Sequence, residues 1–179
     1  MAEKIIIDKD KTVSFEGVFD FKEFMKLIKE FLEKRSYTLN EENVEESLTT
    51  KGKIISMKDK AYLHIDDSSK AYLEYKVKAT IHSIHLKKDN REYKMHKGKV
   101  SITFKPYIII DKDNVFLTSP IHTFKNIVND WPLYSFFRLV FHKYIWKEKT
   151  MESNEKLLKD RNELIDRVKS YFNMFKVYN

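Results

Sequence analysis

The chain has 179 residues, 42% of them hydrophobic and 14% aromatic, with no cysteine and a formal net charge of +7. That is enough apolar side chain for one domain to bury a core unaided, and the missing thiols exclude disulfides, thiolate catalysis and cysteine-ligated zinc or iron–sulfur centres. No apolar run reaches the roughly 18 residues of a membrane span, and Met1-Ala2-Glu3-Lys4 leads into too short an apolar stretch for a signal peptide, so a cytoplasmic protein is expected.

In chain order, Glu3 to Phe19 reads as one strand or a short hairpin, with Ile5, Ile6 and Ile7 separated from Val13 and Phe15 by Asp8-Lys9-Asp10-Lys11. A helix is expected over about 20–35. Asp20 is placed to accept from the first-turn amides, and Glu23 completes a capping-box pattern. Phe21, Phe24, Met25, Ile28 and Leu32 form its buried stripe, and Lys22, Glu23, Lys26, Lys29, Glu30 and Glu33 its wet face. From Tyr37 to Ile65 short strands are expected, with turns at Asn40-Glu41-Glu42-Asn43, Lys51-Gly52 and Asp59-Lys60.

The clearest pattern follows. Ala71, Leu73, Tyr75, Val77, Ala79 and Ile81 alternate with Tyr72, Glu74, Lys76, Lys78, Thr80 and His82, the period of a strand buried on one face. After Lys87-Lys88-Asp89-Asn90 the alternation returns with Val100, Ile102 and Phe104 inside and Lys99, Ser101, Thr103 and Lys105 outside, which predicts a long antiparallel hairpin. The inward parity slips between Ile81 and Ile84, as a bulge would cause. Pro106 should break the ladder, Tyr107 to Ile110 form a further strand, Asp111-Lys112-Asp113-Asn114 turn the chain, and Val115 to Leu117 close the sheet.

Residues 130–175 are helical in pattern. Asp130-Trp131-Pro132 marks a start, and Leu133, Tyr134, Phe136, Phe137, Val140, Phe141, Tyr144 and Ile145 cover half a helix, with Trp131, Leu139 and Trp146 on the other side. A last helix, Glu152 to about Phe172, carries Leu157, Leu158, Leu164, Ile165, Val168 and Phe172 on one face. The chain therefore reads as a single α+β domain over 1–179, with sheet in 1–129. The sheet is an antiparallel meander of six or seven strands, covered by one N-terminal and two C-terminal helices.

Strand, helix, antiparallel meander, then C-terminal helices resembles the helix-grip plan of START-like and polyketide-cyclase-like domains. The likeness is one of element order, and this chain departs from it by ending in two helices rather than one. The resemblance implies a curved sheet wrapped on a terminal helix and the possibility of a cavity for an apolar ligand, with no residue role carried over. Phe136, Phe137, Val140 and Phe141 against Val77, Ile81, Ile102 and Phe104 would line such a pocket, the plainer alternative being that the same residues pack as core.

No catalytic motif is present, so an enzyme, a metal or a cofactor is not expected. His82 and His85 are three apart and face opposite ways on a regular strand; Glu41, Glu42, Glu45 and Glu46 have the look of a solvated turn. Three glycines, none clustered, offer no phosphate-cradling loop.

Charge is more informative. Residues 68–105 hold ten basic groups against Glu74, Asp89 and Glu92. The expected function is a non-catalytic binding module whose basic hairpin meets an anionic partner, RNA or a ribonucleoprotein, with Lys76, Lys78, Lys97, Lys99 and Lys105 on phosphates and Tyr72 or Tyr93 on unpaired bases. Two alternatives are the apolar pocket above and an assembly role, in which Trp131, Leu139 and Trp146 contact a protein partner or a second copy.

Overall fold

The computed structural model describes residues 2–50, 52–66, 69–88, 91–111 and 146–175. The elements are β1 (Ala2–Ile6), β2 (Lys11–Phe19), α1 (Phe21–Lys34), β3 (Thr38–Thr49), β4 (Gly52–Asp66), β5 (Ser69–Lys88), β6 (Arg91–Asp111) and α2 (Trp146–Phe175). All strand pairings are antiparallel, in the order β1-β6-β5-β4-β3, and β2 also pairs with β6. The α+β class and the meander stand as the alternation of the sequence requires. The expected helix over 131–146 and the strand over 115–117 lie outside the described residues, apart from Trp146 at the start of α2.

The sheet is longer-stranded than the sequence suggests. Asn40–Asn43 is not a turn: β3 runs through it, and the extra residue, Glu42, is taken up as a bulge between Glu41 and Asn43. Asp59-Lys60 is likewise strand interior, with Asp59 opposite Tyr75 and only 1% exposed. Polar residues imitate turn punctuation here because a side chain turned inward beside a helix can be accommodated without breaking the ladder. Pro106 does not end β6 either. It lies where the neighbouring edge changes from β2, which ends at Lys11 opposite Phe104, to β1, which ends at Ile6 opposite Tyr107. A residue without an N–H fits that gap, and its carbonyl still accepts from Ile7 N at 3.4 Å. β1 and β2 are thus one interrupted edge.

The β5–β6 register continues without a slip from Ser69 opposite Ile110 to Lys88 opposite Arg91. No bulge falls near Ile81, and His82 and His85 sit on opposite faces. Glycines mark the closest approach of the strands. Gly17 pairs with Gly98, which pairs with Ile81, and Gly52 lies on β4 one residue before the partner of Ile81. A Cβ at Gly98 would stand 2.0 Å from the Thr80 carbonyl oxygen, so the strands approach here more closely than any side chain allows.

Both helices lie on one face. Asp20 caps α1, its Oδ1 accepting from Lys22 N at 2.8 Å and Glu23 N at 3.2 Å. Phe24, Met25, Ile28, Phe31 and Leu32 are buried with Leu157, Leu164, Val168 and Phe172 of α2 against Leu73, Tyr75, Val77, Ile102 and Phe104 of the sheet. Phe172 stacks on Phe15 at 4.6 Å and meets Phe24 at 5.0 Å. Polar ties fix α2 at its middle. The buried Arg161 donates to Asp8 Oδ2 at 2.7 Å and to the Lys9 carbonyl at 3.3 Å, and Asp160 Oδ2 accepts from the Tyr37 hydroxyl at 3.1 Å. Val77, Ile102 and Phe104, the sheet side of the expected pocket, are buried in this core, and the residues expected opposite them, 136–141, lie outside the described residues.

Candidate anion-binding face

Alternation puts every second residue of the strands on the face turned away from α1 and α2, and the register reads off its rows. Lys60 of β4, Glu74 of β5 and Lys105 of β6 form one row. The next holds Lys58, Lys76, Thr103 and Thr12, then Ser56, Lys78, Ser101 and Ser14, then Ile54, Thr80, Lys99 and Glu16, and then His82, Lys97 and Val18. The expected anion-binding residues Lys76, Lys78, Lys97, Lys99, Lys105 and Tyr72 therefore share this outer face. The first four are exposed and the last two half-buried. Tyr93 lies far along β6, opposite Leu86; its side chain is outside those described.

Lys58 and Lys60 join this face only when β3 and β4 are continuous strands whose rows can be counted, and Lys4 joins it only because β1 pairs with β6, neither of which is visible in the sequence. Lys58 stands directly opposite Lys76, a like-charged cross-strand pair that destabilises a sheet unless compensated. Compensation comes from two glutamates. Glu74 is 5% exposed and accepts ion pairs from Lys76 at 3.7 Å and Lys58 at 4.0 Å. Glu42, brought in by the bulge, pairs with Lys58 at 3.3 Å and with Lys60, whose hydrogen bonds hold it below the usual carboxylate range.

An aromatic ladder adjoins this cluster. Tyr72 lies between Tyr107, parallel at 5.2 Å, and Tyr62 at 5.5 Å. Burial raises the Tyr107 hydroxyl well above the ordinary tyrosine range, and Glu74, which accepts its hydrogen bond, acts in the same direction. Lys4 Nζ sits 3.6 Å from the centre of the Tyr107 ring and Lys70 Nζ 5.0 Å from that of Tyr62. Burial lowers the Lys4 pKa; Lys105, Lys60 and Lys58 lower it further, and Glu74 opposes them.

On the helix side a groove of about 1310 Å³ opens between α1 and the β3–β4 arm. Met25, Ile55, Met57 and Ile81 form its apolar base, with Val44 and the 88%-exposed Leu48 along one wall. Its charges nearly balance: Lys26 pairs with Glu30 at 3.6 Å and Lys53 with Glu46 at 2.6 Å. Among the described residues no group of three His, Asp or Glu is placed to hold a metal, and no helix is long and apolar enough to cross a membrane. Phe136, Phe137, Val140, Phe141, Trp131 and Leu139 lie outside the described residues, as does the side chain of Trp146.

No protein-family model matches the sequence, and no curated protein matches it. Among solved structures the chain is similar to an uncharacterized protein from Rhizobium leguminosarum, at 10% identity and a TM-score of 0.19, over 65% of this chain and 85% of that one.

Proposed function

We propose that this chain is a non-catalytic binding module that holds an anionic partner, RNA alone or within a ribonucleoprotein, on the outer face of its sheet. The observation that carries the reading is the lysine array itself. Lys58 faces Lys76, Lys78 is flanked only by serines, and Lys97 pairs with His82, so successive rows across three strands present positive charge on a surface that the core does not need. Cross-strand neighbours lie about 5 Å apart and alternate side chains about 7 Å, a spacing that lets one phosphate backbone meet several ammonium groups. Lysine, a flexible point charge, suits phosphate contact without base readout.

The test is binding of a fluorescein-labelled single-stranded RNA followed by anisotropy. Reversing Lys76, Lys78 and Lys99 to Glu changes six units of charge on this face and should abolish binding. The same reversal at Lys22, Lys26 and Lys29 of α1 should weaken it only modestly. Equal losses would reduce the attraction to net charge and remove the face's special role.

A second reading has one observation in its favour. The groove beside α1 has an apolar base and the exposed Leu48, so it, rather than the space under the sheet, is where an apolar small molecule of the helix-grip kind would sit. Enhancement of N-phenyl-1-naphthylamine fluorescence, lost in Leu48→Lys, would favour it.

A further inference from the structure

The lysines of the outer face are not evenly spread. Among the described residues, Lys4, Lys58, Lys60, Lys76 and Lys105 gather around Glu74, five cations against Glu74 and Glu42. Lys78, Lys97 and Lys99 lie further along the arm, the last opposite Glu16. The two glutamates are fully committed, Glu42 to Lys58 and Lys60, Glu74 to Lys58, Lys76 and the Tyr107 hydroxyl. Among the described residues Lys4 and Lys105 make no ion pair, and Lys4 is held at its place by the Tyr107 ring. The geometry is that of a seat. A buried carboxylate and a buried tyrosine fix the ammonium groups from below, and among the described residues the cluster carries an excess of three positive charges.

We infer, resting on the RNA-binding reading above, that the lysine cluster around Glu74 seats a compact polyphosphate group, the 5′-triphosphate end of an RNA strand, while Lys78, Lys97 and Lys99 follow the chain that leads from it. An internal phosphodiester carries one negative charge and cannot neutralise the local excess. A terminal triphosphate concentrates several within the width of two strands, where the attraction of like-placed lysines adds. The depressed pKa of Lys4 has the same origin in part, since Lys105, Lys60 and Lys58 crowd positive charge that an anion would relieve.

The experiment compares one RNA sequence with a 5′-triphosphate and with a 5′-hydroxyl, against wild type, Lys4→Gln/Lys105→Gln and Glu74→Gln. Two additional lysine contacts of the exposed kind correspond to about tenfold tighter binding of the triphosphate end. That preference should vanish in Lys4→Gln/Lys105→Gln, whose lysines make no ion pair among the described residues, and should shrink in Glu74→Gln, which removes the carboxylate that holds Lys58 and Lys76 in place. Equal affinity for the two ends, with binding still abolished by the Lys76, Lys78 and Lys99 reversal, overturns the seat and leaves the RNA-binding reading intact. No binding of either RNA overturns both. Inorganic tripolyphosphate is the last arm: if it binds as tightly as the triphosphate RNA, the RNA chain adds nothing and the assignment to an RNA end fails.

Discussion

On β5, Leu73, Tyr75 and Val77 are buried against α2, while their immediate neighbours Glu74, Lys76 and Lys78 belong to a face turned away from both helices. The two faces share every backbone hydrogen bond yet differ in what a side chain is required to do. The inner face is constrained by packing, where each ring and branched chain fills a fixed space. The outer face is constrained by charge, and it holds Lys58 opposite Lys76 with Glu74 and Glu42 paired to them. That contrast is the physical ground for the proposal that binding belongs to the outer face.

The contrast is broken most severely from the inner side. Phe172 is buried among Phe15, Phe19 and Phe24, and Phe172→Ala should lower the unfolding free energy by about 3–5 kcal/mol, as truncation of a core aromatic does. Urea denaturation measures this, and a loss below about 1 kcal/mol would mean that α2 is a peripheral cover. Gly98→Ala comes next. It needs no apolar contact to be removed, because its Cβ would stand 2.0 Å from the Thr80 carbonyl oxygen, and the forced separation of β5 and β6 should cost about 1–3 kcal/mol in the same assay.

The smallest effect is a pH dependence where the two constraints meet. His96 Nδ1 accepts from Phe21 N at 3.4 Å, at the start of α1. Burial lowers its pKa from the ordinary 6.5, Lys94, Lys22 and Lys53 act in the same direction, and Asp20 opposes them. The neutral ring is the native form, so the unfolded chain binds the proton more readily. Its contribution to stability is complete above pH 6.5 and is lost as pH falls toward the lower folded pKa. Unfolding curves between pH 7.5 and about 5 should slope less in His96→Gln than in wild type; identical slopes would remove His96 from the account.

The alternation of Ala71 to Ile81 made the central hairpin and its inner face legible in the sequence, and with them the outward direction of Lys76, Lys78, Lys99 and Lys105. The α1 stripe was equally plain, since Asp20 and a 3.6-residue period coincide. What was not legible is which lysines stand side by side. Cross-strand partners depend on register, and register between β3, β4 and β5 is hidden when Asn40–Asn43 and Asp59-Lys60 look like turns. Lys58 and Lys60 reach Glu74 only once β4 is a single strand, Glu42 reaches them only through a bulge, and Lys4 only because β1 lies across β6 from Tyr107. Glu74 read as one acid on a wet face. Its burial follows from the lysine stems and tyrosine rings that surround it, a property of the assembled surface rather than of its own neighbours in sequence.

The central claim, that binding belongs to the outer face and not to the molecule's overall charge, is tested most directly by lysine footprinting. Acetylation with and without saturating RNA, read by mass spectrometry, should show protection of Lys76, Lys78, Lys97, Lys99 and Lys105, with Lys22, Lys26 and Lys29 of α1 acetylated equally in both states. Protection spread evenly over both sets, or confined to α1, would contradict the assignment.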